Sequence, residues 1–386
     1  MTPTEPASLR VLQVVNTLAV SDGGPALHSL DVNAALNARS DTSAHLAWVT
    51  GRPDESHLAD GVPAGVSTSL GRSGLRELWR QVRGADAVIV HGFYLPWVPW
   101  VALACRAHGV PFVVMPHGVF TRYQRQRSRV RKAAFDALGG RATRRAAASF
   151  VVATVGEQEE LAEAYPGIVS TAVGVGTAMP SAPATGERHE PIRLVTLSRI
   201  APKKRIDVAI DAVALLRDRG VDARLTIAGT GQDELLDGLR AQVRRLRLED
   251  RVVFAGEVRG GAKTAHLVRG DVLVAPSEDE NFGISIAEGL AHGLPVVATR
   301  FVGAALPADR VAGRVIDEVS AASLADAVEA LRAVADFPQL RERARGVAVE
   351  RYGWASVAGR WRDALARATE ERDGELSPAA GGGGRA

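Results

Sequence analysis

Two groups of charged residues in the second half of the chain have the types and spacing to hold an anionic, hydroxyl-rich ligand. The first runs Pro276-Ser277-Glu278-Asp279-Glu280-Asn281-Phe282-Gly283-Ile284-Ser285-Ile286-Ala287-Glu288. Carboxylates accept hydrogen bonds from neutral hydroxyls, and Glu288 lies about two helical turns beyond Glu280, so both can face one ligand from different heights. Where the segment opens a helix, the backbone N–H groups of Phe282, Gly283 and Ile284 have no intrahelical acceptor and point at an anion. Gly283 lets that anion approach the backbone closely. Taken alone, Glu278, Asp279 and Glu280 are equally suited to complementing a helix dipole.

The second group is Ser198-Arg199-Ile200-Ala201-Pro202-Lys203-Lys204-Arg205, with four cations between positions 199 and 205. Arg offers a fork to phosphate oxygens and Lys a point charge, and both stabilise charge building on a departing phosphate. The first half of the chain adds Ser21-Asp22-Gly23-Gly24-Pro25, His91-Gly92 and His117-Gly118. Paired glycines before a helix admit a ligand to its N-terminus. A lone histidine is more often structural than catalytic, and both of these stand at strand ends. No Asp-x-Asp pair forms a metal clamp and the histidines are scattered, so no metal is expected.

Short apolar runs rich in β-branched residues alternate with helical patterns, which predicts parallel sheets with crossover helices. Strands are expected at 10–16, 45–50, 87–91, 112–117 and 150–153, with helices at 26–38, 98–108 and 130–145. In the second half, strands are expected at 193–198, 224–228, 252–255, 272–275 and 296–298, with helices at 206–219, 233–246, 262–269 and 282–292. Both charged groups and both histidines then fall at carboxyl ends of strands, where doubly wound sheets bind ligands. The predicted organisation is a first domain over 1–176, a linker rich in Ala, Pro, Ser and Gly over 177–191 and a second domain over 192–353. A terminal helix over 354–373, packing back on the first domain, and a disordered tail over 374–386 complete it.

The chain has 386 residues, 46% hydrophobic and 24% charged, with a formal net charge of +3. That length suits two cores. No apolar run reaches the roughly 18 residues that span a bilayer, and Met1 to Leu9 lack the basic start and apolar core of a secretory leader. Cys105 is the only cysteine, which excludes an intrachain disulfide. A cytoplasmic location is expected. From Arg122 to Arg145 stand nine basic residues with Asp136 the only acid among them. Such a run is a solvated helix face or a surface for anionic acceptors or a membrane leaflet. Few aromatic residues interleave with it, so nucleic acid is not expected.

Together the charged groups resemble the retaining glycosyltransferases of family four, which have the GT-B fold: two doubly wound Rossmann-like domains facing each other across a cleft. The resemblance covers nearly the whole chain and is strongest from Ile192 to Thr299. The family's Glu-x7-Glu pattern appears as Glu280 and Glu288, and its Gly-Arg-Leu-x-x-x-Lys-Gly segment as Ser198 to Arg205, with Ser198 and Arg205 in place of the flanking glycines. The resemblance implies that Arg199 and Lys204 hold the donor diphosphate as leaving group and that Glu280 binds hydroxyls of the transferred sugar. It implies that Phe282, Gly283 and Ile284 present amides, that Glu288 binds the ribose and that Glu257 and Val258 lie in the base-contacting loop. On the other side it implies that Gly23 and Gly24 face the phosphates and that His117 reaches a sugar hydroxyl. Gly229-Thr230-Gly231, which opens like a dinucleotide-binding turn but lacks its third glycine, matches the family's Gly-x-Gly turn beside the donor pocket.

The expected activity is hexosyl transfer from a nucleotide-diphosphate sugar to an acceptor hydroxyl, with retention of configuration and without metal or other cofactor. The acceptor would be a sugar, a lipid-linked carrier or a small molecule, in polysaccharide or natural-product biosynthesis. Peripheral membrane contact would run through the segment from Arg122 to Arg145. The rivals are a nucleotide-sugar epimerase of the same fold, a nicotinamide enzyme and a non-catalytic nucleotide-sugar-binding module.

Overall fold

Strand residues buried on both faces, such as the wholly buried runs Ala87–His91 and Val296–Thr299, are what parallel sheets with helices on both sides require. The computed structural model of the protein describes residues 8–18, 24–50, 66–67 and 74–376. It divides into one unit comprising Met1–Val173 with Val357–Ala386, and a second comprising Gly174–Ser356.

The first unit carries β1 (Leu9–Val15), β2 (Thr42–Trp48), β3 (Val66–Ser67), β4 (Ala87–His91), β5 (Phe112–Met115), β6 (Ser149–Val152) and β7 (Ser170–Ala172). Their order is β3-β2-β1-β4-β5-β6-β7, with every pair parallel. Helices α1 (Gly24–Asn37), α2 (Gly74–Arg83), α3 (Val98–His108), α4 (Arg122–Gln126), α5 (Arg129–Phe135), α6 (Arg141–Ala146) and α7 (Val155–Ala164) follow the strands. Its core includes Phe93, Phe120 and Phe150, each fully buried, with Phe93 and Phe120 ring centres 5.1 Å apart. Burying such a ring stabilises the unit by about 2 kcal/mol.

The second unit repeats the plan with β8 (Ile192–Leu197), β9 (Ala223–Ala228), β10 (Val252–Gly256), β11 (Val272–Ala275), β12 (Val296–Thr299) and β13 (Gly313–Ile316) in the order β10-β9-β8-β11-β12-β13, again all parallel. Its helices are α8 (Ile206–Asp218), α9 (Asp233–Leu246), α10 (Gly260–Val268), α11 (Ile284–Ala291), α12 (Ala321–Arg332) and α13 (Phe337–Tyr352). The last helix, α14 (Trp354–Leu376), begins in this unit and continues in the first, where Arg360 donates to the Val173 carbonyl at 2.8 Å. In each sheet the strand order reverses beside the first strand, between β1 and β4 and between β8 and β11. Those reversals are the positions at which doubly wound sheets open a crevice for ligands.

Several expectations need correction. The helix expected over 130–145 is interrupted at Gly139 (φ 121°) by a π turn, Asp136–Gly140, between α5 and α6. The helix expected over 282–292 begins at Ile284, because Gly283 takes a left-handed turn (φ 91°). The stretch read as a linker is tied to the second unit: Ala184 is buried and donates to His292 at 2.7 Å, and His189 bonds to Asp271. Asp271 is itself buried against Arg341 at 2.8 Å, and an ion pair so deep holds only when both ends are bonded. Gly374–Leu376, assigned to the tail, end the last helix, and the rest of that tail lies outside the described residues. No described helix is long and apolar enough to cross a membrane.

Candidate functional site

The two charged groups of the second unit meet at its sheet reversal. The cation loop leaves the carboxyl end of β8 and the acidic segment leaves that of β11. A backbone hydrogen bond from Glu278 N to Lys203 O, 2.8 Å, joins them. Side chains then pair one for one: Lys203 with Asp279 at 2.7 Å, Lys204 with Glu280, and Arg205 with Glu278. The carboxylates therefore serve the loop rather than a helix dipole. Lys203 and Arg205 build the site, and Arg199 is exposed. Burial and the neighbouring Lys203 and Arg199 pull the Lys204 ammonium down to about 8, with Asp279 opposing. A phosphate arriving there would reverse that shift.

Arg205, standing where the resembling family has glycine, keeps the backbone that glycine would take, at φ 49° and ψ 46°. An L-residue there costs roughly 1–2 kcal/mol. The Arg205 side chain offsets part of this through its bonds to Asp207, at 2.9–3.2 Å, and to Glu278. The far side of the loop leans on the Gly229-Thr230-Gly231 turn. Ile200 N donates to Thr230 O at 2.7 Å. A Cβ on Gly229 would lie 1.8 Å from Ser198 O, and one on Gly231 would lie 2.5 Å from Ile200 O. These glycines thus let two turns touch, which accounts for them without a dinucleotide.

Beyond Glu280, the φ of Gly283 turns the chain into α11, where Ile286 N already reaches Gly283 O at 2.9 Å. The amides of Gly283, Ile284 and Ser285 precede the first intrahelical bonds. Phe282 lies behind the site: its ring is buried edge-on to Tyr352 at 5.4 Å. Thr196, Ser198, Lys204, Glu280, Gly283 and Ser285 line a small cavity here. Buried Thr196 Oγ1 and Asn281 Oδ1 have no hydrogen-bond partner among the described residues. Glu288 bonds Lys263 of α10 at 2.5 Å, a cation that its sequence position did not suggest. Glu257 is exposed and bonds Arg259, while Val258 is half-buried in the same loop.

In the first unit, the carboxyl ends of β4 and β5 bring His91 and His117 together. Nδ1 of His91 lies 3.1 Å from Nε2 of His117, and the rings meet edge to edge within 24° of one plane, with centres 5.3 Å apart. His28 of α1 meets His117 edge-on at 5.6 Å. Burial lowers His28 to about 4 and His117 to about 3, and it holds His91 well below the usual imidazole value, so all three are neutral at pH 7. His117 takes a left-handed turn (φ 52°) followed by Gly118 (φ 80°). Glu157, buried at the start of α7, fixes that turn by accepting from Gly118 N at 2.8 Å and Ala153 N at 3.0 Å. Gly24 begins α1, with nothing within 4 Å of its Cβ direction. Gly23 lies outside the described residues. Among the described residues, no group of three or more metal-ligating side chains has the geometry to hold a metal ion.

Comparison with known proteins places the two units in a family. A model described as glycosyl transferases group 1 matches residues 191–333, and one described as glycosyl transferase 4-like domain matches residues 20–173. The chain belongs to the family 4 glycosyltransferases. The family's fold recurs in Anabaena HepE in complex with UDP, with a TM-score of 0.71 at 17% identity over 93% of this chain and 99% of that one. Two curated family members are similar over shorter stretches. A GDP-mannose-dependent alpha-(1-6)-phosphatidylinositol dimannoside mannosyltransferase of Mycobacterium tuberculosis is 40% identical over 110 residues, 28% of this chain and 27% of its own length. A D-inositol 3-phosphate glycosyltransferase of Pseudarthrobacter chlorophenolicus is 35% identical over 193 residues, 48% of this chain and 45% of its own. The chain thus spans less than half the length of these curated relatives.

Proposed function

We propose that this family member transfers a hexosyl group from a nucleotide-diphosphate sugar to an acceptor hydroxyl, with retention of configuration and without a metal. The observation that carries the reading is the junction of the cation loop and the acidic segment at the sheet reversal, where Lys204 and Glu280 are bonded to each other. A donor offers a better partner to each: phosphate oxygens to Lys204 and sugar hydroxyls to Glu280. Arg199 joins Lys204 on the diphosphate, and the amides of Gly283 and Ile284 complete its electrostatic cradle. These fixed charges do the work a divalent ion would do. Glu288 takes the ribose hydroxyls, with Lys263 holding its carboxylate in place. The backbone of Glu257 and Val258 meets the base, Gly23 and Gly24 meet the phosphates, and His117 bonds a sugar hydroxyl. Without a carboxylate nucleophile to name, the reaction is a same-face attack in which the departing phosphate takes the acceptor proton.

The basic segment enters on the acceptor side. Arg144 is buried against Asp136 and the Tyr165 ring, Lys132 bonds Gln124 O, and Arg122 bonds Glu163. The outward charge rests on Arg127, Arg129, Arg131, Arg141 and Arg145, on the same segment as Val130 and Leu138, which are each 83% exposed. That surface suits an anionic, lipid-linked acceptor or the membrane leaflet that holds it. The transfer reading is tested by Arg199→Ala and Lys204→Ala, assayed in excess chelator. Each is expected to lower turnover about a hundredfold or more while leaving thermal stability nearly unchanged. Turnover within a few-fold of the parent in both variants would overturn it, and loss of the parent's activity in chelator would overturn its metal-free form.

A further inference from the structure

His117 sits at the end of a buried polar chain that begins inside the sheet. Gln13, in the middle of β1 and without solvent exposure, donates from Nε2 to Asn33 Oδ1 of α1 at 3.1 Å. That bond turns Gln13 Oε1 toward Nε2 of His91, 2.9 Å away, and Nδ1 of His91 faces Nε2 of His117. A neutral imidazole has one N–H and one lone pair. Because Gln13 Oε1 can only accept, His91 donates from Nε2 and must accept at Nδ1. His117 then donates from Nε2 and keeps its Nδ1 lone pair for another group. Turning both amides round reverses every bond and leaves Nδ1–H instead, but in either direction a single neutral tautomer fits. Burial keeps all three rings uncharged, so no proton is available to scramble the pattern.

We infer that His91, held by Gln13, is a positioning residue that locks His117 in one neutral tautomer and one ring orientation. The inference rests on the reading that His117 bonds a hydroxyl of the transferred sugar, and it adds how that bond is given its direction. A ring held this way meets the hydroxyl with a fixed donor or acceptor, whereas a free ring would divide its time between tautomers and rotations. The packing supports a fixed ring: His91 meets it nearly in plane, at an interplanar angle of 24°, His28 abuts it edge-on, and Glu157 pins the turn beneath it.

Two measurements test this. The first is nitrogen NMR of the histidine side chains in the parent protein, with no substrate added. A single neutral tautomer at His117 is expected, giving way to exchanging tautomers in His91→Phe, which keeps a ring but has no hydrogen bonds to offer. Exchanging tautomers in the parent, or a cationic His117 at pH 7, would overturn the inference even if a variant failed to fold. The second is steady-state kinetics. His91→Phe is expected to lower kcat about tenfold with donor KM nearly unchanged, and His91→Asn, whose amide can meet His117 from the Nδ1 position, to recover most of it. Full activity in His91→Phe together with loss in His117→Ala would overturn the positioning role alone. Full activity in His117→Ala would instead remove the reading on which it rests.

Discussion

Lys204 and Glu280 are half-buried, oppositely charged and bonded to each other, so each is the other's competitor for a donor. On the proposed reading, sugar transfer needs both to change partners. The bare nucleoside diphosphate needs only Lys204, and it has no sugar with which to compensate Glu280. Glu280→Gln removes the competing charge and should therefore bind a nucleoside diphosphate up to about tenfold more tightly while transfer falls about a hundredfold. Calorimetry with the diphosphate and turnover of the intact donor separate the two effects. Weaker diphosphate binding in Glu280→Gln would show that the carboxylate aids the phosphates rather than competing for Lys204. The same pairing explains what the sequence hid. Four cations at one strand end read alike, but the structure pairs Lys203, Lys204 and Arg205 each with its own carboxylate and leaves Arg199 exposed.

At the scale of the elements, the cation loop is only as well placed as the turn it leans on. Gly229→Ala would drive a Cβ into Ser198 O at a backbone angle, φ 139°, that disfavours any side chain. It should cost about 2 kcal/mol or more in stability and weaken donor binding. Gly238→Ala, in α9 with open space around it, should be neutral or stabilise by up to about 1 kcal/mol and leave donor binding alone. Denaturant titration of both variants checks the contrast, and equal stability of the two would contradict the contact. The sheets and most helices were legible because buried parallel strands carry β-branched runs and their helices are long. The π turn within 130–145 was not, since Gly139 alone does not say whether a helix bends or continues. Nor was the chain from Asn33 to His117. Its members are far apart in sequence, Gln13 is a polar residue within an apolar strand, and the family resemblance points to His117 alone, with no sign of its neighbour His91. Short edge strands such as Ser170–Ala172 have too few residues for a period to register.

For the molecule as a whole, family membership and two doubly wound units set the fold within which the proposed transfer would run. The basic run leaves exposed cations on the same segment as exposed Val130 and Leu138, while the net charge of the chain is only +3, so any attraction to an anionic acceptor is local and weakened by salt. The central claim is that the donor sugar leaves its diphosphate for an acceptor hydroxyl. The most direct test screens nucleotide sugars by thermal stabilisation, incubates the best binder with candidate anionic and lipid-linked acceptors, and follows nucleoside diphosphate and glycosylated product together by mass spectrometry. The account predicts equal molar amounts of the two, with the anomeric configuration of the donor kept in the product. Conversion of the donor to an isomeric nucleotide sugar with no acceptor present, or tight donor binding with no diphosphate released on any acceptor, would contradict it.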